Sequence, residues 1–295
     1  VYGADPEDWW GMRGASTREP LQKPRRSVQL SPSRIESTLR CPLRSVLDRL
    51  VDDADTPIHM VRGTLAHGFA EAIARGADSD AASALVYEAY AGLLDVPVWQ
   101  RETALREWDT LIDNLERWLE NTRGQFEQVG VEMDMRVSVG TTESGAPLRI
   151  KGRMDRLERN NDGELVVVDV KTGSSKPAQK NMGEHAQLSA YQLALSRGVV
   201  DGDSVRDPYP GENPEPVGGG VLVYPSATDV GKYTTREQAA KTPEELEELA
   251  AMLPGVAAAI RGPALTAIVN DNCDNCRLQS ICPAQPTGRM LTNGS

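Results

Sequence analysis

This 295-residue chain contains no Gly-x4-Gly-Lys-Ser/Thr phosphate loop, so it has no visible means of hydrolysing ATP. It has no apolar run long enough to span a bilayer and no signal peptide, which reads as a soluble, intracellular, cytoplasmic protein with no membrane partner. An initiating methionine is missing too. The chain opens at Val1, continues through Asp5, Pro6, Glu7 and Asp8 to Trp9-Trp10-Gly11, and looks cut from something longer. Cysteine is scarce, with four residues, and Lys and Arg (32) are outnumbered by Asp and Glu (43), for a net charge of −11. That balance is awkward for a nucleic-acid protein, because phosphate binding is largely electrostatic.

The most informative stretch runs from Gly152 to Lys171. Gly152-Arg153-Met154-Asp155-Arg156 is followed by a polar turn at Asn160-Asn161-Asp162-Gly163 and then by Leu165, three valines, Asp169, Val170 and Lys171. Two strands joined by that turn bring Asp155 near Asp169. Strand side chains alternate faces, so Asp169 and Lys171 point one way while Val166, Val168 and Val170 point the other. Two carboxylates on a rigid sheet suit a hard divalent cation such as Mg2+ or Mn2+, and the ammonium suits a reaction that develops negative charge. Metal-assisted phosphodiester hydrolysis fits that inventory. On its own, a single D-x-K would favour a buried strand ending in an ordinary surface Asp and Lys.

Further residues change the balance. Glu184-His185-Ala186-Gln187-Leu188-Ser189-Ala190-Tyr191 reads as an unbroken helix with Gln187 and Tyr191, four apart, on one face. Upstream, Arg62-Gly63-Thr64-Leu65-Ala66-His67 begins another helical stretch that directs one imidazole toward the carboxylates. At these positions the chain resembles the RecB family of PD-(D/E)XK nucleases, whose ordered pattern is G-T-x-x-H, G-R-x-D-R, D-x-K and Q-x-x-x-Y; every element is present. The resemblance implies His67, Asp155 and Asp169 as metal ligands, with the Val170 backbone carbonyl as a further one. It implies Lys171 as the residue that positions the attacking water and stabilises the transition state. Gln187 and Tyr191 would orient Lys171 and contact the DNA backbone. Glu132 matches an acidic position of the family more loosely; it reads as a supporting or second-metal residue, or as a solvent-facing glutamate.

Three cysteines cluster as Cys273-x2-Cys276-x5-Cys282, and the fourth is the distant Cys41. Four thiols with none left over point to one four-thiolate site. Tetrathiolate zinc is a competitor, although its sites usually come as two short Cys-x2-Cys-like pairs; two disulfides remain a third option. One remote cysteine followed by a triplet resembles the iron-sulfur staple of AddB-type, AdnAB-type and CRISPR-adaptation nucleases of the same family. That likeness implies a [4Fe-4S] cluster of structural role, tying the segment before the catalytic core to the segment after it.

The fold class expected is α/β: a PD-(D/E)XK restriction-endonuclease-like core, a small mixed sheet flanked by helices, with a helical insertion and the iron-sulfur staple. Residues 1–28 read as a linker from a preceding helicase region, 29–286 as the nuclease domain and 287–295 as a disordered tail. Helices are expected from Ser31, at about 63–75, 80–94, 98–128 and 184–197, and from Thr242. Strands are expected at 131–139, 147–158, 164–171 and 220–224, with a mobile acidic loop over 198–219. Arg149, Lys151 and Arg153 alternate onto the face of Asp155, and Lys171, Lys176 and Lys180 follow, so a basic groove on an acidic body is expected.

The resemblance implies a deoxyribonuclease acting on DNA single strands from unwound duplex ends. It would be the nuclease module of a double-strand-break-processing helicase-nuclease, beside a helicase domain in the same parent chain and a second helicase-nuclease subunit. The alternatives are a non-catalytic DNA-binding scaffold of such a complex, or a free-standing iron-sulfur nuclease of CRISPR-adaptation type.

Overall fold

Residues 19–21, 27–50 and 58–286 are described by the computed structural model. Most of the expected linker and all of the expected tail lie outside them. Strand β1, Val28–Leu30, already begins within the segment read as linker.

The N-terminal helices follow from their punctuation. Ser31 caps α1 (Pro32–Arg40), its hydroxyl accepting from the Arg34 N–H, and Pro32 occupies the first turn, where no intrahelical donor is needed. The chain turns extended at Cys41 and restarts as α2 (Pro42–Leu47), because Pro42 disfavours helical backbone in the residue before it. Helices α3 (Ile58–Ala74), α4 (Ser79–Leu93) and α5 (Val98–Thr122) form the expected insertion. The apolar stripe of α5 is fully used: Trp108, Leu111, Ile112, Leu115, Trp118 and Leu119 are all buried, and Trp108 stacks on Tyr90 of α4 with ring centroids 4.6 Å apart.

Among the described residues the sheet has eight strands, more than expected. After β1 come β2 (Glu127–Thr141), β3 (Pro147–Arg159) and β4 (Leu165–Val170), then α6 (Ala186–Arg197), β5 (Val199–Asp201), β6 (Ser204–Arg206), β7 (Val217–Pro225), β8 (Tyr233–Ala239) and α7 (Pro243–Arg261). The order is β5-β6-β2-β3-β4-β7-β8, with β1 also paired to β3. Parallel pairings (β1 with β3, β2 with β6, β4 with β7) mix with antiparallel ones. The expected loop over 198–219 is corrected in part. Its first half is the β5–β6 hairpin, which closes one edge of the sheet because Val199 and Val205 are buried while the acidic residues between them face out. The long helix ends at 122, six residues before the expected boundary.

Alternation sorts the sheet into two faces. Met133, Met135, Val137, Ile150, Leu157, Leu165 and Val167 pack with α1, α6 and α7. Val168, Val170 and Val223 pack with the insertion helices. Strand β4 is therefore buried along its whole length, as a central strand covered on both sides should be. The β3–β4 turn holds its register through Asn160, whose side-chain oxygen accepts from the Asp162 and Glu164 backbones, and through Gly163 at φ 81°, a conformation glycine adopts at no steric cost.

At the start of α7, Thr242 and Glu245 form a reciprocal capping box. Thr242→Ala is expected to lower unfolding free energy by about 1 kcal/mol, which denaturant titration would detect and which a change below ~0.3 kcal/mol would refute. Among the described residues no helix is long and apolar enough to cross a membrane.

Candidate active site

The β3–β4 register sets the site. The antiparallel ladder ends with Arg156 paired to Val168, and Asp155 and Asp169 are the next residues of the two strands, where they part toward the end of β4. Asp155 accepts a hydrogen bond from the Val170 N–H at 2.8 Å through Oδ2. One residue past the end of β4, Lys171 places Nζ 2.5 Å from Asp169 Oδ2.

Helix α6 completes this side. Gln187 accepts from Lys171 Nζ at 3.0 Å and donates through Nε2 to Asp169 Oδ1 at 3.2 Å, so Asp169, Lys171 and Gln187 form a closed ring of contacts. Tyr191, one turn on, donates from its hydroxyl to the Arg153 carbonyl at 3.1 Å and so braces the strand bearing Asp155. Both side chains are buried, Gln187 at 5% and Tyr191 at 4% exposure. The packing of α6 against the sheet encloses most of both side chains.

His67 approaches from α3. Its Nδ1 lies 3.3 Å from Asp155 Oδ2 and 3.9 Å from Glu132 Oε1. The helix is pinned near this point by Arg62, which donates to the Thr172 carbonyl at 2.6 Å just beyond the end of β4. Among the described residues, the one group of three His, Cys, Asp or Glu ligand atoms within 4.8 Å of one another is His67, Glu132 and Asp155. Asp169 falls outside this tight group, held instead by Lys171 and Gln187. Glu132, given only a loose place by sequence, falls inside it.

Glu132 sits at φ 49°, and no other non-glycine among the described residues has a positive φ. The left-handed conformation costs an ordinary side chain roughly 1–2 kcal/mol, a strain typical of functional positions. The sequence carried no signal of it beyond the alternation of β2. The last residue of the G-R-x-D-R motif, Arg156, is held from within its own strand. Glu158 is almost fully buried, at 1% exposure, and is ion-paired with Arg156.

Electrostatics follow from this crowding. Burial, the neighbouring Asp169 and, to a lesser degree, Glu132 push the Asp155 carboxyl well above the usual carboxylate range, against the opposing Val170 hydrogen bond and Lys171. Burial lowers His67, with Lys171 acting the same way, while Asp169 and a hydrogen bond to the Val170 backbone oppose it. Burial and Glu71 raise Glu132, against Arg153 and Arg75. Each shift disfavours the charged form of its group, as expected where a cation is to neutralise the acids.

The donor set fits a hard divalent ion: carboxylate oxygens with one imidazole nitrogen. A second observation agrees. Asp169 Oδ2 is buried against the Lys171 ammonium, so this carboxylate stays ionised beside the three candidate ligands.

The cysteines form a separate site. Cys41, Cys273, Cys276 and Cys282 are all free thiols and line one cavity, together with Leu43, Ile268 and Leu278. The expected remote partner thus meets the triplet. The segments are joined around it: Leu43 donates to the Thr266 carbonyl at 3.0 Å, and Arg277 pairs with Asp48 at 2.9 Å. The Asn270 N–H donates to Cys273 Sγ at 3.3 Å. Cys41 and Cys282 are buried, and Cys273 and Cys276 are half-buried.

The family model of the PD-(D/E)XK nuclease superfamily matches residues 29–283. No curated protein matches the chain. Among solved structures, one titled "Crystal structure of SSO0001" is similar at 17% identity over 89% of each chain, with a TM-score of 0.42.

Proposed function

Since this chain belongs to the PD-(D/E)XK nuclease superfamily, we propose that it is a metal-dependent deoxyribonuclease that hydrolyses phosphodiester bonds at the end of β4. The observation that carries the reading is the meeting of Asp155, Asp169 and Lys171 with His67 and Glu132 across four separate elements, α3, β2, β3 and the end of β4. His67, Glu132 and Asp155 would hold Mg2+ or Mn2+, with Asp169 beside them and the Val170 backbone at the rim. A bound divalent ion supplies Lewis-acid polarisation of the phosphate and a water of lowered pKa.

The chain's own groups do the rest. Lys171, fixed between Asp169 and Gln187, presents positive charge to an attacking water and to the charge that develops on phosphorus-bound oxygen. Gln187 holds that ammonium in place from the buried side. Tyr191 keeps the Asp155 strand in register through the Arg153 carbonyl. His67 stays neutral because burial lowers its pKa, which leaves a nitrogen lone pair for a metal.

The finer reading is a nuclease module of a helicase-nuclease, working on strands from unwound duplex ends and carrying a [4Fe-4S] staple. Its support is the ordered motif set and the cavity shared by four free thiols.

The deciding assay is cleavage of end-labelled single-stranded DNA with Mg2+ or Mn2+, with EDTA as control. Absence of cleavage with either ion would overturn the nuclease reading. In the same assay His67→Ala should slow cleavage about tenfold or more in Mg2+, and Mn2+ should restore more of it, since manganese competes better for the remaining ligands. Unchanged Mg2+ activity would remove His67 from the metal site.

A further inference from the structure

We propose that the open face of β2 and β3 beside the metal site is a track for the backbone of a single DNA strand, with Arg136 and Lys151 as its principal phosphate contact. The proposal rests on the nuclease reading and names the path its substrate takes.

The two strands form a ladder that starts at the site. Val131 pairs with Arg156 and Met133 with Met154, so Glu132 lies opposite Asp155. Moving away from the metal ligands, the next rungs on that face are Asp134 with Arg153, Arg136 with Lys151, and Ser138 with Arg149. The opposite face, with Met133, Met135, Val137 and Ile150, is core. On the outer face Asp134, Arg136, Ser138, Lys151 and Arg153 are exposed and Arg149 is half-buried.

The rungs differ in charge. Arg153 is answered by Asp134 at 3.2 Å and lies 3.8 Å from Glu132. Ser138 is bonded to the Asp207 carboxylate, and Arg149 donates to Ser138 Oγ. Arg136 and Lys151 face each other with no carboxylate of the described residues within ion-pair distance. Like charges directly opposite in an antiparallel pair are destabilising, and this pair sits in a chain of net charge −11, where acidic partners are plentiful. The arrangement calls for an anion from outside the protein.

Spacing identifies that anion. Rungs on one face recur every two residues, about 6.7 Å along the strand, a step that suits successive phosphates of an extended polynucleotide. The Arg136–Lys151 rung lies two steps from the Glu132–Asp155 rung, so a strand with its scissile phosphate at the metal site sets its second phosphate onwards between the two cations. One file of cations serves one strand. Arg206, beside Arg136 in the next strand, is already engaged by Asp201 and Glu212 and offers no second file.

The test is the salt dependence of binding, measured by fluorescence anisotropy with a labelled oligothymidylate and calcium in place of magnesium. Loss of this one single-strand phosphate contact should make the slope of log K against log salt shallower by about 0.7. Arg136→Ala combined with Lys151→Ala should show that change together with about tenfold weaker binding or more, while Arg136→Lys keeps the wild-type slope. An unchanged slope in the double variant would overturn the track. A change seen with duplex DNA and absent with the single strand would overturn the single-strand assignment. Wild-type hydrolysis of bis(p-nitrophenyl) phosphate with Mn2+ reports on the nuclease reading separately, because that substrate is too short to reach the second rung.

Discussion

Asp155→Asn is expected to abolish metal-dependent cleavage and, without metal, to make the protein more stable than wild type at neutral pH. Both effects come from one cause. Burial and Asp169 hold the Asp155 carboxyl well above the usual range, so the folded protein binds its proton more tightly than the unfolded chain does. A carboxyl raised in this way lowers stability as pH climbs from the ordinary carboxylate pKa through the raised folded one. Asparagine is neutral throughout and keeps an oxygen for the Val170 N–H. The stability advantage of the variant should therefore be absent in acid and grow as pH rises.

Metal reverses the ranking. A divalent ion that binds only the folded state stabilises wild type in proportion to the logarithm of its concentration above Kd, and the variant should gain little. Loss of the metal's transition-state stabilisation, several kcal/mol, corresponds at ~1.4 kcal/mol per tenfold to a fall in rate of about a thousandfold. Denaturant titrations at acid and neutral pH, with and without Mg2+, together with the cleavage assay, check both halves. Parallel pH–stability curves for the two proteins, or full cleavage by the variant, would defeat the argument. Lys171→Ala should also lose cleavage, since Asp169 and Gln187 then hold no ammonium toward the phosphate.

How much of this was legible in the sequence follows from the range of each interaction. The alternation Val166, Val168, Val170 against Asp169 and Lys171, the Asn160–Gly163 turn and the Gln187–Tyr191 spacing are local patterns, and they brought Asp169, Lys171 and Gln187 together as expected. Capping signals at Ser31 and Thr242 are local too. What the sequence did not carry depends on neighbours remote in the chain. The β5–β6 hairpin looked like an acidic loop because its stability comes from β6 pairing alongside β2, not from its own composition. Glu132 joined the metal group through a backbone angle that no residue pattern announces. Burial of Tyr191 came from α6 packing onto the sheet, and helical spacing alone could not tell a buried face from one turned toward a substrate.

The four-thiolate site offers the other large effect. Protein prepared without oxygen should be brown and contain iron and sulfide, and Cys41→Ser should remove the centre as completely as Cys276→Ser, because the four thiols line one cavity and a [4Fe-4S] centre uses four of them. Cys41 ends α1 and Cys276 lies beyond α7, so such a centre would close a loop containing the whole insertion and every strand of the sheet but β1. In the chain-entropy view of a cross-link, closing a loop of more than a hundred residues is worth of order 4–5 kcal/mol. The pairs that otherwise join these segments, Leu43 with Thr266 and Arg277 with Asp48, are a backbone bond and a partly exposed ion pair, too weak to replace it. Cys41→Ser should consequently lose several kcal/mol of stability and become protease-sensitive around residues 40–48 and 266–282. Cleavage should fall as a secondary effect, through α1, which packs against both α6 and the sheet. Stoichiometric zinc without iron or sulfide in anaerobic protein would replace the cluster by a zinc site, and a Cys41→Ser variant that keeps its full iron content would show that the fourth ligand lies elsewhere.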